Sequence, residues 1–265
     1  MTDAAADTGG RGWAVVLEQE LRDTWLGGRG VVLVFAFSVV LSTIAYLVAT
    51  NAALNFLEQR EAVGLIVQVA VGMGGLLVVV TAADAVSGER ERATLETLLL
   101  APVSRRQLAA GKLLAALSLW PAAFLVTLPY VWFLGHGVGV VFDAVAVGLI
   151  VGSLLAVELA SLGLIVSLFA ASNRLSLSLS LFALLALFAP TQLSAGAQQG
   201  WAAELLLRAN PLTAGEHYVG RILVDGHGWA QDASWLVAPG AAAVVLAGLA
   251  MALAGRMALR SGGAG

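Results

Sequence analysis

A chain of 265 residues with 59% hydrophobic and 12% charged side chains lies far from soluble domains, in which about 25% of residues are charged. Its mean hydropathy of +0.89 points the same way. A net charge of −3 gives no basic excess for nucleic acid, and the absence of cysteine removes disulfides, thiolate metal sites and cysteine nucleophiles.

Residues 1–10 are small, polar and acidic, unlike a cleavable signal peptide, and are expected to form a disordered cytosolic tail. Trp13, Leu17, Leu21 and Trp25 recur every four positions with Glu18, Arg22 and Asp23 opposite, the pattern of a helix lying flat in a membrane interface. Gly27, Gly28 and Gly30 then turn the chain. Apolar blocks follow at about 31–50, 62–83, 113–134, 144–170, 175–195 and 233–255. Each is long enough, at about 1.5 Å per residue, to cross a hydrocarbon layer of about 30 Å. The expected fold is therefore an all-α integral membrane protein with six spans, one permease domain over 11–260 and a flexible tail at 261–265.

Six spans put both termini on one side. If that side is cytoplasmic, Arg11, Arg22, Arg29, Arg90, Arg92, Arg105, Arg106, Lys112, Arg174, Arg256 and Arg260 lie inside, and Arg60, Arg208 and Arg221 outside. That asymmetry satisfies the positive-inside rule. Tyr130, Trp132, Phe133, Trp201, Trp229 and Trp235 fall where interfacial aromatics belong on the outer side. Gly148, Gly152, Ala156 and Ala160 form a small-residue stripe that lets another helix approach the fourth span closely.

One expected cytosolic loop stands out for length and charge: Asp84 to Lys112, DAVSGERERATLETLLLAPVSRRQLAAGK. Glu89, Arg92 and Glu96 share one helical face and Leu95, Leu98 and Leu99 another, so a short amphipathic helix is expected over Glu89 to Leu99. Pro102 ends it, and Ser104 with Gln107 forms a capping box for a helix that runs into the third span. Physics alone leaves open a solvated interfacial loop or a device that transmits motion to the membrane domain.

This stretch resembles the cytosolic loop of type-2 ATP-binding-cassette (ABC) exporter permeases. Asp84, Gly88, Glu89, Arg90, Glu91, Thr94, Leu95, Glu96, Pro102, Val103, Ser104, Arg105, Gly111 and Lys112 match its pattern, and Ala93 departs from it where the family usually has Gly. The resemblance covers nearly the whole chain and is similar to permeases for nitrous oxide reductase maturation, sodium extrusion and gliding. It implies an ATPase-coupling role for Glu89, Arg90, Glu91, Arg92, Thr94, Leu95, Glu96, Leu99 and Pro102. It also implies a prokaryotic cell-membrane exporter pairing two permeases, taken as identical copies, with two ATPase subunits that hold ATP and Mg.

Asn210-Pro211-Leu212-Thr213 through Arg221-Ile222-Leu223 also resembles that family, whose outer gate would include Asn210, Pro211, Glu216 and Arg221. On residue patterns, Trp201 to Arg208 forms one short helix, and Thr213 with Glu216 caps another that ends near Gly226. Glu158, near the middle of the fourth span, is either a substrate or proton contact on the translocation path or a packing hydrogen bond. His136, His217 and His227 lack ligand spacing, so no metal site is expected. Gly111-Lys112 lacks the upstream glycine of a P-loop, so this chain is expected to bind no cofactor and catalyse no hydrolysis. Two alternatives remain: a proton-coupled secondary transporter using Glu158, and an intramembrane hydrolase, for which Ser153 and Ser161 lack a G-x-S-x-G setting.

Overall fold

Long apolar runs with few charges leave helices as the way to satisfy backbone polar groups in hydrocarbon, and helices are what form. The computed structural model describes residues 12–50, 56–95, 103–192 and 200–255. Glu96, Leu99, Pro102 and the terminal tails lie outside the described residues. In chain order the helices are α1 (Gly12–Trp25), α2 (Arg29–Ala49), α3 (Phe56–Asp84), α4 (Ser87–Glu91), α5 (Arg105–Leu117), α6 (Leu119–Gly135), α7 (Val141–Phe169), α8 (Asn173–Phe188), α9 (Trp201–Ala209), α10 (Pro211–Leu223) and α11 (Val237–Ala254). Among the described residues, six stretches are long and apolar enough to cross a membrane, with α5 and α6 forming one of them, Arg105–Val138.

At the centre α3 packs along α7 more extensively than any other pair. The stripe on α7 explains why. A Cβ at Gly148 would stand 3.1 Å from Val67 of α3, and one at Gly152 would stand 2.1 Å from the Trp120 indole. Farther along, Gly163 admits the α3 backbone itself, with Val79 O 2.7 Å from where its Cβ would be. Ala156 and Ala160 continue the same buried face. The helices α2, α8 and α11 are peripheral and turn Phe35, Tyr46, Phe182, Leu185, Val244 and Val245 outward, an apolar rim suited to lipid.

The predicted turn before the first span forms with Gly28 in the left-handed region (φ 81°). Helix α1 lies against α5, where Gly111 makes room for Val16, whose Cγ1 stands 2.6 Å from a would-be Cβ. Ser104 and Gln107 make the predicted capping box in both directions.

Two expectations are corrected. The amphipathic helix predicted over Glu89 to Leu99 is broken, because α4 ends at Glu91 and the chain turns through Arg92 and Ala93 before Leu95. Thr94 N–H donates to Glu89 O (3.0 Å) and Ala93 N–H to Arg90 O (3.2 Å), with Ala93 at φ 59°. That paired closure is a Schellman motif, which forces a left-handed residue just past the helix cap and normally takes glycine there. Glu89 is therefore separated by this turn from Thr94 and Leu95, and Glu96, Leu98 and Leu99 of the expected helix lie outside the described residues. The second correction concerns Thr213 and Glu216, which make no capping box. Asn210 is the N-cap of α10, accepting from the N–H groups of Leu212 (3.0 Å) and Thr213 (3.2 Å), and Pro211 takes the first helical position.

Enlarging Gly152 to alanine drives a methyl into the Trp120 indole, so the variant should lose about 1–3 kcal/mol of stability. Gly137, with open space around it, should tolerate alanine within about 0.5 kcal/mol. Thermal unfolding of both variants in detergent checks the contrast.

Candidate functional site

The segment from Asp84 to Leu95 sits on the face of the bundle that carries both ends of the described chain, and Asp84 organises it. Its carboxylate lies at the C-terminal end of α3, where the helix dipole disfavours negative charge, and it is 6% exposed. Partners come from three directions: the Arg29 guanidinium at the start of α2, Asn173 Nδ2 at the start of α8 (2.7 Å) and Arg92 Nη2 (3.4 Å). Gly88 makes the fit possible, since a Cβ there would stand 2.3 Å from Asp84 Oδ1.

A second buried charge lies beside it. The Lys112 side chain, 1% exposed, donates to Glu20 of α1 (2.5 Å) and pairs with Glu89 of α4 (3.5 Å). These groups enclose a cavity of about 220 Å³ lined by four acids, Glu20, Asp23, Asp84 and Glu89, and three cations, Arg29, Arg92 and Lys112. The Trp25 indole N–H donates to Ser118 Oγ (3.0 Å), fastening α1 to the third span.

On the other flank α4 is tied to the turn between α7 and α8. Ser167 Oγ accepts from the N–H groups of Val86 (3.0 Å) and Ser87 (2.9 Å), two orphan donors at the start of α4. Arg90 donates to Leu168 O (3.1 Å) and to Ala170 O, carbonyls at the C-terminal end of α7 where a cation is favoured. Glu91 accepts from the Asn173 N–H (3.3 Å) and the Thr94 hydroxyl donates to the Glu89 carboxylate.

The predicted coupling residues thus divide. Glu89 and Arg90 are spent on internal contacts and Leu95 is buried, whereas Glu91, Arg92, Ala93 and Thr94 form an exposed tip. Asp84, Gly88, Glu89, Gly111 and Lys112, which carried the sequence resemblance, are the residues that build the framework. Sequence reasoning missed Arg29, Asn173, Ser167 and Glu20 as its partners. In the sequence Arg29 reads only as a basic residue, and nothing local marks a serine or asparagine whose partners lie 80 or more positions away.

At the opposite face, α9 and α10 form a hairpin, with Leu212, Tyr218, Val219, Ile222 and Leu223 of α10 buried among the spans. Gly215 sits against α7, its would-be Cβ 2.8 Å from Val151. Asn210 Nδ2 donates to Leu187 O (2.9 Å), fixing the hairpin to the far end of α8, and Arg221 pairs with Asp225 (3.0 Å). Glu216 is half-buried and faces two cavities. Glu158 is 2% exposed within α7; its Oε2 has no hydrogen-bond partner among the described residues, and it borders neither of these cavities. Among the described residues no cluster of His, Asp and Glu could hold a metal ion.

Replacing Asp84 with alanine strands Arg29 and Asn173. The expected loss is about 2–3 kcal/mol, below the ~3–5 kcal/mol of a fully buried pair because the Arg29 side chain stays 43% exposed. A double-mutant cycle with Arg29→Ala, read by unfolding in detergent, should return a coupling above about 1 kcal/mol. Ala93→Gly should stabilise the turn by about 1 kcal/mol, and Ala93→Val should destabilise it, in the same assay.

The sequence profile of the ABC-2 family transporter proteins matches residues 14–257, from α1 to just past α11. No curated protein matches the chain. With six spans, a buried framework at one end and a helical hairpin at the other, the chain belongs to the ABC-2 family and is the multi-pass permease subunit of an ABC transporter.

Proposed function

We propose that this permease exports its substrate by coupling to a separate ATPase subunit through the exposed tip at Glu91, Arg92, Ala93 and Thr94. Two permeases, identical copies of this chain, would work with two ATPase subunits that bind ATP and Mg. The tip and both termini would face the cytoplasm of a prokaryotic cell, an orientation supported by the distribution of Lys and Arg.

The observation that carries this reading is the dual attachment of α8. Its first residue, Asn173, is bonded to Asp84 and Glu91, while its far end, at Leu187, holds Asn210 of the α9–α10 hairpin. Force applied to the tip therefore has a rigid route to the gate-like hairpin through one helix, and ATP binding and hydrolysis would favour alternate arrangements of the spans. Asn210, Pro211, Glu216 and Arg221 are the outer-gate residues in this scheme.

Charge reversal at the tip, Glu91→Lys, should cut ATPase co-purification and ATP-driven transport by roughly tenfold or more, on the scale of interfacial charge pairs. The unfolding midpoint should stay nearly constant, because the Glu91 side chain is exposed, its bond from the Asn173 N–H is long (3.3 Å), and Asn173 keeps its bond to Asp84. Glu89→Gln should instead lower the midpoint, since Lys112 is buried against it. Unchanged transport in the reversed tip would remove the assigned contact.

The unpartnered Oε2 of Glu158 favours one second reading, a carrier driven by protons through that carboxyl. Glu158→Gln separates the two: a proton-driven carrier loses transport, and an ATP-driven permease keeps it.

A further inference from the structure

A cavity of about 710 Å³ lies between α2, α3, α8 and α10. Met73, Leu76, Leu184 and Phe188 supply much of its wall. The tip of the Phe188 ring meets Gly72, whose would-be Cβ would stand 2.8 Å from Cζ, so the ring fits there because Gly72 has no side chain. Three polar side chains enter the same space: Gln68 of α3, Thr191 just past α8 and Glu216 of α10. The same three border an adjoining, more polar cavity of about 420 Å³. Glu216 thus stands where an apolar chamber meets a polar one.

No hydrogen bond or ion pair reaches the Glu216 carboxylate from the described residues. Of the nearby cations, Arg221 pairs with Asp225 through Nη1 (3.0 Å) and keeps a buried Nε without a hydrogen bond among the described residues, and Arg208 is taken by Glu204 (3.0 Å) and the face of Trp235. Burial raises the Glu216 carboxyl to about 7, the sign of a charge that its surroundings do not compensate. A carboxylate beside an apolar wall is costly unless it takes up a proton or a cation joins it, and the apolar wall, Phe188 included, can seat the organic part of such a cation. An anion would meet repulsion there, and a neutral hydrocarbon would leave the carboxylate as unsatisfied as before.

We propose that this cavity binds amphipathic organic cations, with Glu216 as the counter-ion and the Phe188 and Met73 surfaces as the apolar seat. Gln68 and Thr191 offer hydrogen-bonding groups beside the charge. The inference rests on the permease reading only in taking the bound cation to be cargo.

The test uses the full chain in lipid nanodiscs without nucleotide, with empty nanodiscs subtracted. Two probes of the same shape and opposite charge are compared, tetraphenylphosphonium and tetraphenylborate. The cation should bind more tightly than the anion, and Glu216→Gln should weaken the cation by about tenfold or more while leaving the anion no weaker. Glu216→Asp should restore most of the cation affinity, and Gly72→Leu, which fills the chamber, should weaken it. Equal affinity for the two probes, or cation binding unchanged in Glu216→Gln, overturns the site. So does loss of both probes in Glu216→Gln without recovery in Glu216→Asp, which would make Glu216 a structural residue. ATP-driven uptake of the cation into inverted vesicles containing the ATPase separates the two proposals. Binding without uptake sinks the export reading alone, and uptake of other cargo with no cation binding sinks this site alone.

Discussion

The Asp84 carboxylate is the constraint on which one end of the molecule depends. It sits at the negative end of α3, nearly out of reach of water, and such a position is tolerated only when cations and amide donors surround it. Arg29, Arg92 and Asn173 meet that need, and in doing so they fix where α2 begins, where α4 turns and where α8 starts. Gly88 follows from the same demand, since any side chain there would displace the carboxylate. Lys112 imposes a parallel requirement on Glu20 and Glu89, so α1 and α5 are drawn into one framework with α4.

The middle of the bundle obeys a different rule. Lipid tails are as apolar as leucine, so helices gain little from hydrophobic burial against each other and depend on close packing. Glycines on α7 supply it, placing one helix against the α3 backbone and beneath the Trp120 ring. The more peripheral α8 has a polar anchor at each end, Asn173 at the framework and Leu187 at the hairpin, and α7 is likewise held by Ser167 at the framework and, at its other end, by Asp143, which accepts from the Trp229 indole (3.0 Å). A stiff helix pinned at both ends to polar clusters is a simple mechanical link, and the far end of α8 also borders the chamber that contains Glu216.

Much of this was legible from residues alone, for reasons that differ by element. The spans were readable because hydrocarbon requires long uninterrupted apolar runs, and the Ser104–Gln107 box was readable because both partners lie within one helical turn. The α4 turn was misread because amphipathic spacing continues across it. The contrary signal was Ala93, where the family resemblance leads one to expect Gly, and a glycine expected four residues past Glu89 in a short charged helix is a cap rather than a helix interior. At α10, Thr213 and Glu216 fit a capping spacing, but the Asn-Pro step just before them is the stronger start signal and prevailed. The ligands of Asp84, and the convergence of Gln68, Thr191 and Glu216, arise from contacts between distant segments, which periodicity does not encode.

The claim that organises this account is that the tip beyond α4 faces the compartment of the termini and is covered there by an ATPase subunit. The chain contains no cysteine, so Thr94→Cys supplies a single thiol on the exposed tip. Its reaction with a membrane-impermeant maleimide, in intact cells and in inverted vesicles with and without the ATPase, is the direct measurement. The account predicts labelling only in inverted vesicles and strong protection when the ATPase is bound. Labelling in intact cells, or labelling in vesicles that the ATPase leaves unchanged, would contradict it.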